Sequence, residues 1–135
     1  MPTADNSDDV QWFGWELHYK SGNSDKFYRF MITLVPAPAA VGLHGGRGSN
    51  GTIGMIETGP DARAIIRKAI DKTRDKENKG YTLTRGFTTF TAPASQSDPA
   101  SLRNNANTLA GHFGLAAAAQ GTEEGNPASI PTRRL

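Results

Sequence analysis

His44 and Arg47 are the only ionisable side chains in VGLHGGRGSNGT, the glycine-rich stretch from Val41 to Thr52. An arginine set among glycines suits phosphate. Its planar fork bonds two oxygens at once, and residues without a Cβ let an anion approach the backbone. Gly45, Gly46, Gly48 and Gly51 either form a nest of N–H groups around an anion or turn a hairpin that needs positive φ. The order of residues is neither a P-loop nor a dinucleotide fingerprint: no Gly-Lys-Ser/Thr ending is present, and strand composition follows where a helix should. Arg47 therefore either contacts a phosphate or pins the hairpin through a loop carbonyl or Glu57.

Other chemistry has little to build on. Cysteine is absent, so disulfides, thiol nucleophiles and cysteine zinc sites are excluded. His18, His44 and His112 are scattered, with no carboxylate at ligand spacing, and no metal is expected. No Ser–His–Asp order, carboxylate pair in an apolar setting or cofactor motif occurs. Catalysis needs groups held in fixed geometry, and we expect neither an enzyme nor a cofactor.

The elements that position the loop follow from periodicity. In VQWFGWELHYK, Trp15, Leu17 and Tyr19 alternate with Glu16 and His18, the period of a half-buried strand. Trp12 falls on the opposite face from Trp15 or at the strand's entry, where, if exposed, it would offer a stacking anchor. SGNSD, Ser21 to Asp25, is a turn cluster, and KFYRFMITLV completes a hairpin. Pro36 and Pro38 interrupt the second strand. VGLH and TIGMIE then flank the glycine-rich loop as a second hairpin.

A helix follows. Thr58 or Gly59 stands at its cap, Pro60 near its first position and Asp61 in its first turn, and Gly80 stops it. Ala62, Ile65, Ile66, Ala69, Ile70 and Thr73 recur at three- and four-residue steps, giving one apolar stripe. Its many lysines and arginines, interleaved with Asp71, Asp75 and Glu77, read as a solvated face. YTLTRGFTTFT returns to strand composition.

Beyond residue 91 the chain turns rich in Ala, Pro, Ser and Gly. Asp98-Pro99 has the form of a helix start, and Leu102, Ala106, Leu109, Phe113 and Ala117 follow at helical spacing. Gly111 and Gly114 each weaken such a helix by about 1 kcal/mol. Residues 99–118 are thus either a short amphipathic helix or without fixed structure.

Composition agrees with one modest domain. The chain has 135 residues, 36% hydrophobic and 21% charged, with mean hydropathy −0.52, so only part of it builds a core. Net charge is +2, and the acidic first ten residues leave the basic excess further along. No basic and apolar leader and no membrane-length apolar run is present; a cytoplasmic protein without a membrane partner is expected.

Taken in order, WELHYKSGNSDKFYRFMITLV, GGRGSNGTIGMIE and IDKTRDKENKGYTL resemble the WGR domain. Lys26-Phe27-Tyr28 matches that family's second strand. Gly46-Arg47 matches the last two letters of its signature, and Lys72-Thr73 with Lys79-Gly80-Tyr81 matches its helix end. Gly45 stands where the family has tryptophan. In the DNA-dependent poly(ADP-ribose) polymerases this domain binds broken DNA, its tryptophan packing at the terminus and its arginine contacting the backbone.

The resemblance implies an α+β fold over residues 10–91: a small antiparallel sheet with one amphipathic helix on one face. A disordered arm (1–9) and a flexible C-terminal tail (92–135) flank it. It implies a non-catalytic DNA-binding module reading backbone phosphates at ends, nicks or junctions. Arg47 would touch phosphate, with Lys26, His44, Gly46, Asn50 and Asn23 around it. The other reading is a protein-interaction module, docking a partner through the sheet or through a tail helix anchored by Leu102, Leu109 and Phe113. DNA binding should collapse in salt and on Arg47→Ala. Tail docking should survive both and be lost on truncation after Ala94.

Overall fold

The two hairpins read from alternation are parts of one five-stranded sheet. The computed structural model describes residues 9–46 and 51–124, the side chains of 120–124 excepted. The strands are β1 (Asp9–Ser21), β2 (Ser24–Thr33), β3 (Ala39–Gly46), β4 (Thr52–Thr58) and β5 (Thr82–Pro93), in the order β4-β3-β2-β1-β5. Every neighbouring pair is antiparallel. Helix α1 spans Ala62–Asn78 and α2 spans Leu102–Glu124. The α+β class with an antiparallel sheet is as expected.

Turn chemistry fixes the register. Ser21 pairs with Ser24 across Gly22-Asn23, and Gly22 has φ 58°, as a two-residue hairpin with glycine first requires. Asp61 is the N-cap of α1 rather than a first-turn residue: its carboxylate accepts the Ala64 N–H at 3.2 Å. At the other end the Gly80 N–H donates to the Glu77 carbonyl and the Tyr81 N–H to the Lys76 carbonyl, each at 3.0 Å. That Schellman closure needs positive φ, and Gly80 has φ 106°.

Both faces of the sheet are covered. On one, Ile65 and Ala69 of α1 pack on Leu17, Tyr28, Phe30, Ile32 and Ala40. The Trp15 indole N–H donates to Thr73 Oγ1 at 2.8 Å, tying helix to strand. On the other, Leu102, Ala106, Leu109, Phe113 and Ala117 of α2 pack on Trp12, Met31, Val41, Leu43 and Phe90. Gly14 lies beneath Phe113. A Cβ there would overlap the Phe30 carbonyl oxygen and stand 3.3 Å from the Phe113 ring.

Several expectations are corrected here. Residues 91–92 are no domain boundary, because they lie inside β5 and the following helix completes the core. Leu102, Leu109 and Phe113 are not docking anchors: all three are buried, their apolar surface satisfied by the chain's own sheet. Trp12 is not an exposed stacking residue. It is fully buried, and its indole N–H donates to Ser97 Oγ at 3.0 Å while Ser97 Oγ donates to the Pro93 carbonyl at 2.9 Å. Residues 1–8 and 125–135, read as arm and tail, lie outside the described residues.

Candidate nucleic-acid interface

The corner where the β1–β2 turn meets the end of α1 gathers lysines and aromatic rings. Register brings three strands together there: Tyr19 stands opposite Lys26, Lys26 opposite Gly46, and Tyr28 opposite His44. Lys26 Nζ lies 5.3 Å from the Tyr19 ring centre. From the helix, Lys76 Nζ reaches 5.0 Å from the Tyr28 ring and 5.6 Å from the Tyr81 ring. Tyr19 and Tyr81 contact each other, and Tyr28 stacks between Phe30 and His44 at 4.8 and 5.6 Å. Such contacts hold a cation against the ring quadrupole.

Two glycines make room for this cluster. A Cβ on Gly42 would stand 2.8 Å from Tyr28 Cε1. One on Gly54 would overlap the Tyr28 hydroxyl and stand 2.7 Å from His44 Cδ2. The ring thus lies flat across β3 and β4, its hydroxyl buried without a hydrogen-bond partner among the described residues. Burial, and secondarily the Tyr81 phenol, push the Tyr28 hydroxyl up to about 12.

The corner is electropositive. Burial lowers Lys76 below the ordinary lysine value, and repulsion from Lys79, Lys72 and Lys26 adds to this, partly offset by Asp75. Asp75 is engaged by Lys79 at 3.3 Å. Lys72, Lys76 and Lys79 follow the i, i+4, i+7 spacing of one helix face, so the signal is present in the sequence. Their meeting with Tyr19, Tyr28 and Tyr81 follows from strand register and the docking of α1.

The expected contacts divide. Lys26 and His44 are exposed in this corner, and Gly46 ends β3 beside Lys26. Asn23 is exposed in the adjoining turn. Arg47 and Asn50 lie outside the described residues. Glu57, the alternative partner for Arg47, is engaged by Lys68 at 3.2 Å. His18 and His44 do not face one another, since alternation puts His18 on the α2 face of the sheet and His44 on the α1 face. No metal-ligating cluster occurs among the described residues. No helix of the described residues is long and apolar enough to cross a membrane. No protein-family model, curated protein or solved structure matches this chain.

Proposed function

We propose that this chain is a non-catalytic DNA-binding module that grips backbone phosphates through the lysine and tyrosine corner. The observation that carries the reading is the set Lys26, Lys72, Lys76 and Lys79 interleaved with Tyr19, Tyr28 and Tyr81 beside Gly46, the residue before Arg47. Positive charge tracks a phosphate backbone, and the half-buried Tyr19 and Tyr81 rings offer edges to sugars or bases without reading sequence, while Tyr28 is buried. The resemblance to the WGR domain points the same way, and Gly45 in place of its tryptophan removes the stacking half of that grip. Sequence specificity is slight, since no recognition helix or base-reading set occurs among the described residues.

The test is fluorescence anisotropy with labelled blunt-ended, nicked and single-stranded DNA. Affinity for duplex falls roughly 100-fold between about 50 and 200 mM salt if four phosphates are neutralised. Replacing Lys72 and Lys76 together by glutamate weakens binding by more than about tenfold at low salt, and Arg47→Ala weakens it less. Absence of binding by the native chain at low salt ends the proposal.

A second reading, docking of a protein through the sheet, is favoured by one observation. Ile70, Leu83 and Phe87 are exposed by 37, 53 and 64%, and they line one groove between α1 and the edge strand β5. An apolar groove beside an open strand edge suits an extended peptide. Binding through it would persist in high salt and be lost in Phe87→Asp. Insensitivity to Phe87→Asp, or loss of the contact in salt, excludes the groove.

A further inference from the structure

The groove between α1 and β5 is shaped for an apolar side chain. Its floor is Trp15, held from two sides. The ring stacks on Phe30 at 5.5 Å, and the indole N–H donates to Thr73 Oγ1. The Thr73 hydroxyl in turn donates to the Ala69 carbonyl at 2.8 Å. Both polar groups of the floor are thus satisfied, and a polar ligand finds no open partner on it. The groove holds about 280 Å³, below the range of about 300–1,000 Å³ usual for small-molecule sites.

The same patch carries the side chain that fits the groove. Phe87 is largely exposed at its margin, and its ring rests on Phe13, 5.2 Å away. A knob and a hole on one patch make that patch self-complementary. A two-fold axis takes each knob to the other copy's hole.

The charges agree with that symmetry. Arg74 and Glu77 line the groove one turn apart on α1. Both are exposed, and neither forms an ion pair among the described residues. Across a two-fold axis Arg74 of one copy faces Glu77 of the other, and the reverse. A foreign partner would need an acid and a base in matching order, whereas a second copy supplies them by symmetry. Strand β5 does nothing to repel it. Edge strands that stay apart carry outward lysines or prolines. From Thr82 to Ala92 the one charged side chain is Arg85, and it turns to the α2 face, where it donates to the Ala117 carbonyl at 3.3 Å.

We infer that this groove is the contact between two copies of the chain, Phe87 of each seated on Trp15 of the other. The inference names the occupant of the groove described under the second reading, rests on that reading, and is independent of DNA binding.

The experiment is sedimentation velocity of the full chain from about 1 to 300 μM, with tryptophan emission recorded over the same range. The mass is expected to rise from 14.5 kDa towards twice that value, with a Kd of about 10–100 μM, as suits a contact of few side chains. Trp12 is fully buried within one chain, so the accompanying blue shift belongs to Trp15. Phe87→Asp weakens association more than about 30-fold. Arg74→Glu and Glu77→Arg each weaken it roughly tenfold, because each sets like charges against one another twice. An equimolar mixture of those two variants regains association, since one chain then offers two acids to the other's two bases. All three positions are exposed, and unchanged circular dichroism shows that the fold is kept. Three results overturn the assignment: a monomer throughout the range, a dimer indifferent to Phe87→Asp, or a mixture of the two charge variants that stays monomeric. The first excludes a second copy without excluding a foreign peptide, whose dependence on Phe87 in high salt is read separately.

Discussion

A chain ending at Ala94 is expected to lose its cooperative fold. It would uncover Trp12, Met31, Val41, Leu43 and Phe90, whose buried surfaces lie against α2. Removing one buried leucine or phenylalanine from a core costs about 2–5 kcal/mol, and a whole domain is held by about 5–15 kcal/mol. Loss of Leu102, Leu109 and Phe113 together therefore matches or exceeds the entire margin. The truncation also removes Ser97, the acceptor for the buried Trp12 indole, which strands a donor at about 1–3 kcal/mol. Urea titration followed by tryptophan fluorescence is the measurement. The truncated chain should show red-shifted emission without denaturant and no sigmoidal transition. In the full chain, Phe113→Ala should lower stability by about 3–5 kcal/mol without altering the denaturant dependence of a two-state transition. A truncated chain that unfolds with the native midpoint would make α2 an appendage.

Tyr28→Phe is expected to stabilise the protein. The hydroxyl is buried without a partner among the described residues, and an unsatisfied buried polar group costs about 1–3 kcal/mol. Phenylalanine keeps the ring that stacks on Phe30 and His44 and that faces Lys76. A gain of about 1–2 kcal/mol near neutral pH follows, and DNA affinity should stay within about twofold of native. The alkaline limb carries the same signature. The folded Tyr28 titrates at about 12, against an ordinary tyrosine value of 10.0. Its contribution is fully present below pH 10 and is lost as pH rises towards 12. The loss reaches at most about 3 kcal/mol, at about 1.4 kcal/mol for each pH unit that separates the folded from the unfolded titration. Tyr81 is also raised, by burial first, and works in the same direction. Lys76 works the other way. Its folded value is lowered from 10.5, so its unfavourable contribution is relieved as pH rises to that value and changes no further above it. Thermal unfolding from pH 7 to 12 should thus fall more steeply above pH 10 for the native chain than for Tyr28→Phe. Parallel curves, or a destabilised variant at neutral pH, would show that the hydroxyl has a partner.

The strands and α1 were legible because each presents a repeating pattern. Trp15, Leu17 and Tyr19 mark one face of β1, and Asp61 and Gly80 bracket the helix with residues whose backbone roles are local. What escaped was the second layer. The sequence KFYRFMITLV is apolar at both parities, with Phe30 and Ile32 on the α1 face and Met31 on the α2 face. Such a run marks a strand buried on both sides, and Trp12 opposed to Trp15 repeats the message. The stripe Leu102, Ala106, Leu109, Phe113 and Ala117 was visible at its spacing, but so many glycines and alanines surround it that its polar face is faint. Periodicity states that a helix has an apolar face and not which surface receives it. The lysine corner escaped for a related reason. Lys26, Lys76 and Tyr81 meet only through strand register and helix docking, links that no local pattern records.

The sheet order has a consequence for how the chain assembles. Strands β1 to β4 form a meander of neighbouring hairpins, whereas β5 pairs with β1 from Asp9 opposite Pro93 to His18 opposite Thr82, residues far apart in the sequence. Closing a long loop costs entropy before its contacts repay it. Local hairpins therefore gather first, and the addition of β5 with α2 comes late. Until then β1 offers a bare edge, and the Trp12 face stands open to water. An emerging chain in that condition is a template for its neighbours. The yield of folded molecules is then set by the speed with which the last third of the sequence docks, and changes at Gly14 or Phe113 that slow docking act on aggregation before they act on function.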